Sequence, residues 1–414
     1  MPNAVRLLAV IAVLRMVSTA AAAEHAALRL SFGAGPPSAG FEAVPATRVY
    51  RRGAAWGFEP GARVAAHAHG VTAAEPFFFT VQLPEGNHRV RLALGDEGGD
   101  SVTTVKAEAR RLMIENLRAA RGHVVFREFT VNVRTPRIGD RGAVKLKQRE
   151  QDLEMVTWDD ALTLEFSGAR PSLRALEITP APAAPTLFLA GDSTVADQPT
   201  EPWNSWGQML PRFFGPDLAV ANYAQSGESI KSSLAAGRFD KLFGVMKPGD
   251  TLLLQFGHND MKDRAPDALA TYRANLKALV ARTRARGGTP VLVTSMERKA
   301  GVKAPTLAGY PDTVRAVARE DQVALLDLHA MSLTLYRALG AELDRAFQDG
   351  SHHNNYGSYQ LARCVAAGLA ASRLPAAAFL LEEARNFDPA RPDPADAFQV
   401  PPSPARAAAT PDGS

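Results

Sequence analysis

The chain has 414 residues, 46% of them apolar and 22% charged, more than one typical core encloses, which predicts at least two mostly folded domains. Its formal charge is +4, and the basic residues are scattered rather than gathered beside aromatics, which excludes the electrostatic footprint of a nucleic-acid binder. The single cysteine, Cys364, excludes an internal disulfide; within the apolar pattern Leu361, Val365, Leu369 it reads as an inert core thiol.

At the start, Arg6 leads into the apolar stretch Leu7 to Val17, interrupted by Arg15, and then into Ser18-Thr19-Ala20-Ala21-Ala22-Ala23. This basic, apolar, small-residue order is that of a secretory signal, with Ala21-x-Ala23 as the cleavage site. Residues 1–23 are expected to be removed from a secreted or periplasmic protein, and the run is too short to span a bilayer comfortably.

From Leu28 to about Ile178 the chain is β-rich and punctuated by turns. Phe77 to Leu83 and His88 to Leu94 alternate in polarity on either side of Pro84-Glu85-Gly86-Asn87, which predicts a hairpin. Val124 to Val133 and Leu162 to Phe166 add strands, so residues 24–181 are expected to close as an antiparallel β-sandwich. Gly99-Asp100-Ser101 lies in a glycine-rich turn without catalytic partners downstream and reads as a loop.

Ala181-Pro182-Ala183-Ala184-Pro185 breaks the pattern. Beyond it, apolar runs at Thr186 to Ala190, Leu218 to Ala221, Thr251 to Phe256, Pro290 to Ser295 and Val323 to Leu328 alternate with helical stretches. Such alternation predicts a parallel sheet covered on both faces over residues 182–385. Tyr272 to Arg286 is the clearest amphipathic helix, and Tyr359 to Leu369 is expected to be another. The Pro- and Ala-rich tail, 386–414, is expected to be disordered from Pro401 onward.

Ligands of an open parallel sheet sit beyond the carboxyl ends of its strands. The first strand exits through Gly191-Asp192-Ser193-Thr194, where a helix start would place the Ser193 hydroxyl in the cleft and offer free N–H groups to a developing anion. Equally, Asp192 or Ser193 would serve as a plain helix cap. After the second strand, Gly227 in Asn222-Tyr223-Ala224-Gln225-Ser226-Gly227-Glu228 can present its N–H to the same anion. The third exits through Gly257-His258-Asn259-Asp260, where Asn259 is the better donor, His258 can line the pocket and Asp260 can hold the loop. Asp349-Gly350-Ser351-His352 carries a carboxylate three residues before an imidazole, a spacing that lets the carboxylate orient the ring that takes the Ser193 proton. His353 competes with His352 for that role. His258, His352, His353 and Asp349 show no pair at a spacing diagnostic of a metal site, so neither metal nor cofactor is expected.

These blocks resemble the SGNH, or GDSL-type, hydrolase family over about residues 185 to 375. The resemblance implies a three-layer, flavodoxin-like α/β hydrolase domain with a five-stranded parallel sheet. In it Ser193 is the nucleophile, His352 the base and Asp349 its partner, while Ser193, Gly227 and Asn259 form the oxyanion hole. The family pattern places the base three residues after the acid and five before a glycine, which selects His352 over His353. Gly-Asp-Ser-Thr-Val-Ala-Asp, Trp206-Gly207-Gln208 and Gln255-Phe256-Gly257-His258-Asn259-Asp260 look most like the rhamnogalacturonan acetylesterases, which implies acetylated plant cell-wall polysaccharide as the partner. Asp192, Thr194, Trp206, His258 and His353 are expected to touch substrate, and Trp203 and Trp206 can either stack on sugar rings or pack under the helix. The β-rich region resembles galactose-binding-like jelly rolls, with a structural role equally open. Two alternatives remain: acetylxylan or another short-chain ester as substrate, or a carbohydrate-binding protein without catalysis.

Overall fold

The computed structural model describes residues 27–151 and 157–404; the expected signal, residues 1–23, lies outside the described residues. The N-terminal half comprises β1 (Leu28–Phe32), β2 (Glu42–Val44), β3 (Trp56–Phe58), β4 (Ala65–His67), β5 (Gly70–Thr72), β6 (Phe77–Gln82), β7 (Gly86–Leu94), β8 (Ser101–Ala107), β9 (Arg111–Ala119), β10 (Val125–Val133), α1 (Gln148–Gln151), β11 (Ala161–Ser167), β12 (Ser172–Leu173) and β13 (Ala175–Pro180). A sheet of order β3-β6-β11-β8-β9 faces strands ordered β10-β7-β13-β1-β2. Phe32, Phe58, Phe77, Phe79, Val90, Leu92 and Phe166 fill the space between them.

The hairpin expected at Pro84-Glu85 does not form. β6 pairs with β3 and β11, whereas β7 pairs with β10 and β13 in the other sheet. Alternating polarity says only that each strand has one buried face. Here those faces meet across the core instead of lying side by side.

The C-terminal half contains β14 (Thr186–Gly191), α2 (Trp206–Met209), β15 (Ala219–Asn222), α3 (Ile230–Ala235), α4 (Arg238–Val245), β16 (Thr251–Gln255), α5 (Ala268–Ala285), β17 (Thr289–Val293), α6 (Tyr310–Glu320), β18 (Ala324–Leu326), α7 (Leu328–Leu339) and α8 (Asn355–Ser372). The strands run parallel in the order β15-β14-β16-β17-β18. Because side chains alternate along a strand, Leu187 and Leu189 pack toward α2, α7 and α8, whereas Phe188 and Ala190 pack toward α4, α5 and α6. That gives the three layers. Cys364 is fully buried on α8, and burial pushes its thiol pKa up.

Two features were not anticipated. β15 pairs in parallel with β10, Thr130 opposite Ala219 and Val131 opposite Val220, so one ten-stranded sheet runs through both halves. The described part of the tail is also tied down, against the expectation of disorder from Pro401. The buried Lys106 ammonium donates to Pro401 O and Ser403 Oγ, each at 2.8 Å, and pairs with Glu165 at 3.1 Å. Ser403 Oγ donates to Glu165 at 2.7 Å. A buried charge must be met by polar partners, and the tail supplies them despite its composition.

Candidate active site

Gly191 ends β14 where a Cβ would lie 2.5 Å from Val195 Cγ2 and 2.7 Å from Gln255 O, so only glycine lets the strand turn here. The residues that follow form a turn, with the Val195 and Ala196 N–H groups both donating to Asp192 O. The expected helix after Ser193 is absent; the next helix starts at Trp206. Ser193 thus owes its presentation to a strand-exit turn and not to a helix dipole. Its carbonyl accepts from Gln198 Nε2 at 2.6 Å.

Between Ala346 and α8, Asp349 Oδ1 accepts from the N–H groups of Ser351 and His352, each at 2.7 Å, and Oδ2 accepts from His352 Nδ1 at 2.8 Å. On the far side of the ring, the Ser193 hydroxyl donates to Nε2 at 2.8 Å. The structure therefore brings Ser193, His352 and Asp349 into one hydrogen-bonded line. Burial raises the Asp349 pKa, but the His352 ring and the two backbone donors outweigh it and hold the carboxyl well below the usual range.

Gly227 takes φ +75° in the turn after β15, a conformation that favours glycine. Among the described residues, the N–H groups of Ser193 and Gly227 make no hydrogen bond. Asn259 Nδ2 donates one hydrogen to Glu228 O at 3.1 Å, which fixes the amide and leaves its second hydrogen available. Asp260 accepts from Ile230 N at 2.9 Å and so holds its loop to α3; burial pushes its pKa up to about 7.

Residues 189–360 match the GDSL-like Lipase/Acylhydrolase family. Rhamnogalacturonan acetylesterase RhgT of Bacillus subtilis (strain 168) is 34% identical over 211 residues, covering 46% of this chain and 91% of RhgT. The chain belongs to the GDSL-like lipase/acylhydrolase family. The uncharacterized esterase YxiM of the same organism is 27% identical over 377 residues, covering 83% of this chain and 90% of YxiM, so that similarity extends into the N-terminal half. The crystal structure of YxiM aligns with a TM-score of 0.46 at 22% identity, covering 83% of this chain and 98% of that one.

As a GDSL-type serine esterase, the protein devotes the remaining expected residues to the wall behind the line of three. Asp192 is fully buried, with Oδ1 accepting from Thr194 N and Oγ1 at 3.0 and 2.7 Å and Oδ2 lying 3.3 Å from His258 Nδ1. Burial raises the Asp192 pKa, yet His258 and Thr194 together hold it below its ordinary value. Thr194 Oγ1 also accepts from Gln255, and His258 Nε2 donates to Met296 O at 3.0 Å. Trp206 is 1% exposed, with its indole N–H donated to Gln255 at 2.8 Å. The His353 ring is buried on Phe347, centroids 4.0 Å apart, and meets Tyr336 Oη at 2.9 Å. The side-chain hydrogen bonds of these five expected substrate-binding residues run to the protein itself. Trp203 is half-buried and holds no such bond through its indole.

Residues missed in the sequence complete the frame. Gln198 joins Ser193 O to Ser226 Oγ. Arg298 donates to Ser351 Oγ at 3.1 Å and His258 O at 3.3 Å, bridging two of the site's loops. Neither lies in a motif, and isolated Gln and Arg residues carry no local signal. Among the described residues, no group of three or more His, Cys, Asp or Glu is arranged to hold a metal, and no helix is long and apolar enough to cross a membrane.

Proposed function

We propose that this esterase removes O-acetyl groups from rhamnogalacturonan and works outside the cytoplasm after loss of residues 1–23. The line Ser193 to His352 to Asp349, at 2.8 Å per contact, carries the chemistry. His352 Nε2 takes the hydroxyl proton as Ser193 Oγ attacks the acetyl carbonyl. The N–H groups of Ser193 and Gly227 and the Asn259 amide receive the oxyanion. Collapse breaks the ester bond, and His352 returns the proton to the departing sugar hydroxyl. Water, deprotonated by His352, attacks the acetyl-serine; the Ser193 Oγ–acyl bond breaks, acetate leaves, and His352 returns the proton to Ser193 Oγ. Asp349 stays ionised and stabilises the transient imidazolium.

The substrate reading draws on RhgT, whose similarity spans nearly its whole length. Acetate release should be measured on acetylated rhamnogalacturonan, acetylated xylan and triacetin. The first should be preferred at least tenfold in kcat/KM; preference for either of the others would replace the proposed substrate. Ser193→Ala should lower p-nitrophenyl acetate hydrolysis by about 10³-fold or more. Retained activity would refute the mechanism.

A further inference from the structure

One turn of the N-terminal half reaches the stretch that follows Ser193. Between β8 and β9, Glu108 and Arg110 take φ +57° and +64°, in the left-handed region that side-chain-bearing residues rarely adopt. Such a conformation persists only where the surroundings over-determine it: Glu108 is held by β11 through Thr163, and the Arg110 side chain by the catalytic half.

The buried Arg110 guanidinium faces two segments at once. Its Nη1 donates to the carbonyls of Gln198 at 3.0 Å and Trp203 at 2.9 Å, on the stretch that leads out of the Ser193 turn. Its Nη2 pairs with Glu201 at 2.5 Å and donates to Asn355 Oδ1 at 3.1 Å. Asn355 opens α8, immediately beyond the loop that carries His352. The amide of Asn355 donates back to Glu201 at 3.0 Å, which closes the knot. Gln198 passes the hold to the nucleophile through its 2.6 Å bond to Ser193 O. The next residue, Arg111, is also buried and lies 3.3 Å from Asp197 on the same stretch.

We infer that Arg110, a residue of the N-terminal half, is a positioning residue of the esterase reaction that sets the distance between Ser193 and His352. The inference rests on the roles proposed above for those two residues. A planar fork that meets four acceptors in two directions fits the task; a lysine ammonium supplies no such plane. Arg110 touches neither the reacting atoms nor the proton in flight, and acts only by fixing the loops that do.

The test compares Arg110→Ala, Arg110→Lys, Asn355→Ala and Ser193→Ala in the full chain with p-nitrophenyl acetate. Folding is followed by circular dichroism and labelling of Ser193 by a fluorophosphonate. Arg110→Ala should lose about 100-fold in kcat, the scale of a misplacement near 1 Å, with KM changed less than threefold. Labelling should slow in parallel, Arg110→Lys should regain under a tenth of wild-type kcat, and added guanidinium ion should partly restore Arg110→Ala. Should Arg110→Ala fail to fold, Asn355→Ala cuts one arm alone and should lose about tenfold in kcat. A folded Arg110→Ala, or in its place Asn355→Ala, with wild-type kcat beside an inactive Ser193→Ala would overturn the positioning role and leave the esterase mechanism intact. An active Ser193→Ala would sink the mechanism itself and this inference with it.

Discussion

His352 and His353 are adjacent and chemically identical, yet the fold gives them opposite tasks. The His352 ring lies between a carboxylate and a hydroxyl, as an acid–base group requires. The His353 ring is walled in by Phe347 and Tyr336, and burial pushes its pKa down to about 3. Because that folded value lies below the unfolded one, near 6.5, His353 contributes full stability above about pH 6.5. That contribution is lost as the pH falls toward 3, at up to about 1.4 kcal/mol per unit. Denaturant midpoints measured from pH 7.5 to 4.5 should fall more steeply in wild type than in His353→Gln; equal slopes would show that His353 titrates normally. In the same comparison His352→Ala should lose about 10³-fold or more in kcat, while His353→Gln stays within tenfold. Near-equal, mild losses would defeat the assignment of His352. Spacing and the family pattern together single out Ser193, Asp349 and His352, since the last two share one loop and the first follows a strand end. They could not tell that Asp192, Thr194, Trp206, His258 and His353 turn their polar atoms inward, since whether a polar group faces substrate or a neighbour is decided by chain segments far away.

At the scale of elements, strand exits were legible and their continuations were not. Buried parallel strands announce themselves as apolar runs, so β14 to β18 were found to within a few residues. The sequence after Ser193 predicts a helix where a turn forms, because Asp and Ser cap helices as readily as they fill turns. The tail shows the converse: its composition predicts disorder, but the partner that orders it, Lys106, stands 295 residues before Pro401. Truncation after Val400 removes two acceptors from that buried ammonium and a donor from Glu165. Each lost hydrogen bond to a charged group is worth about 1.5–3 kcal/mol, so the truncated chain should melt at least about 4 °C lower. An unchanged melting temperature would show that the residues after Val400 contribute nothing to the fold.

For the whole molecule, the β10–β15 junction decides whether the halves behave as domains. Composition places a boundary at Ala181–Pro185, since the proline-rich break separates two patterns that each look self-sufficient. Pairing between residues 89 apart, as Val131 and Val220 are by number, follows from no local signal. That pairing covers an edge of β15 that would otherwise present open hydrogen-bonding groups. Arg111 reaches across to Asp197, Arg110 to Glu201, and the tail returns from the C-terminal half to Lys106. Unfolding either half alone would therefore strand several buried charges and an open sheet edge in the other. The cost of that exposure makes one cooperative transition the expected behaviour, although chains with two halves commonly show more than one. Calorimetry should record a single endotherm. A protease nick within residues 181–185 should leave both fragments co-eluting and active in native buffer. Two resolved transitions, or fragments that separate without denaturant, would mean that the continuous sheet is a contact between independent domains and that the catalytic loops do not depend on the β8–β9 turn.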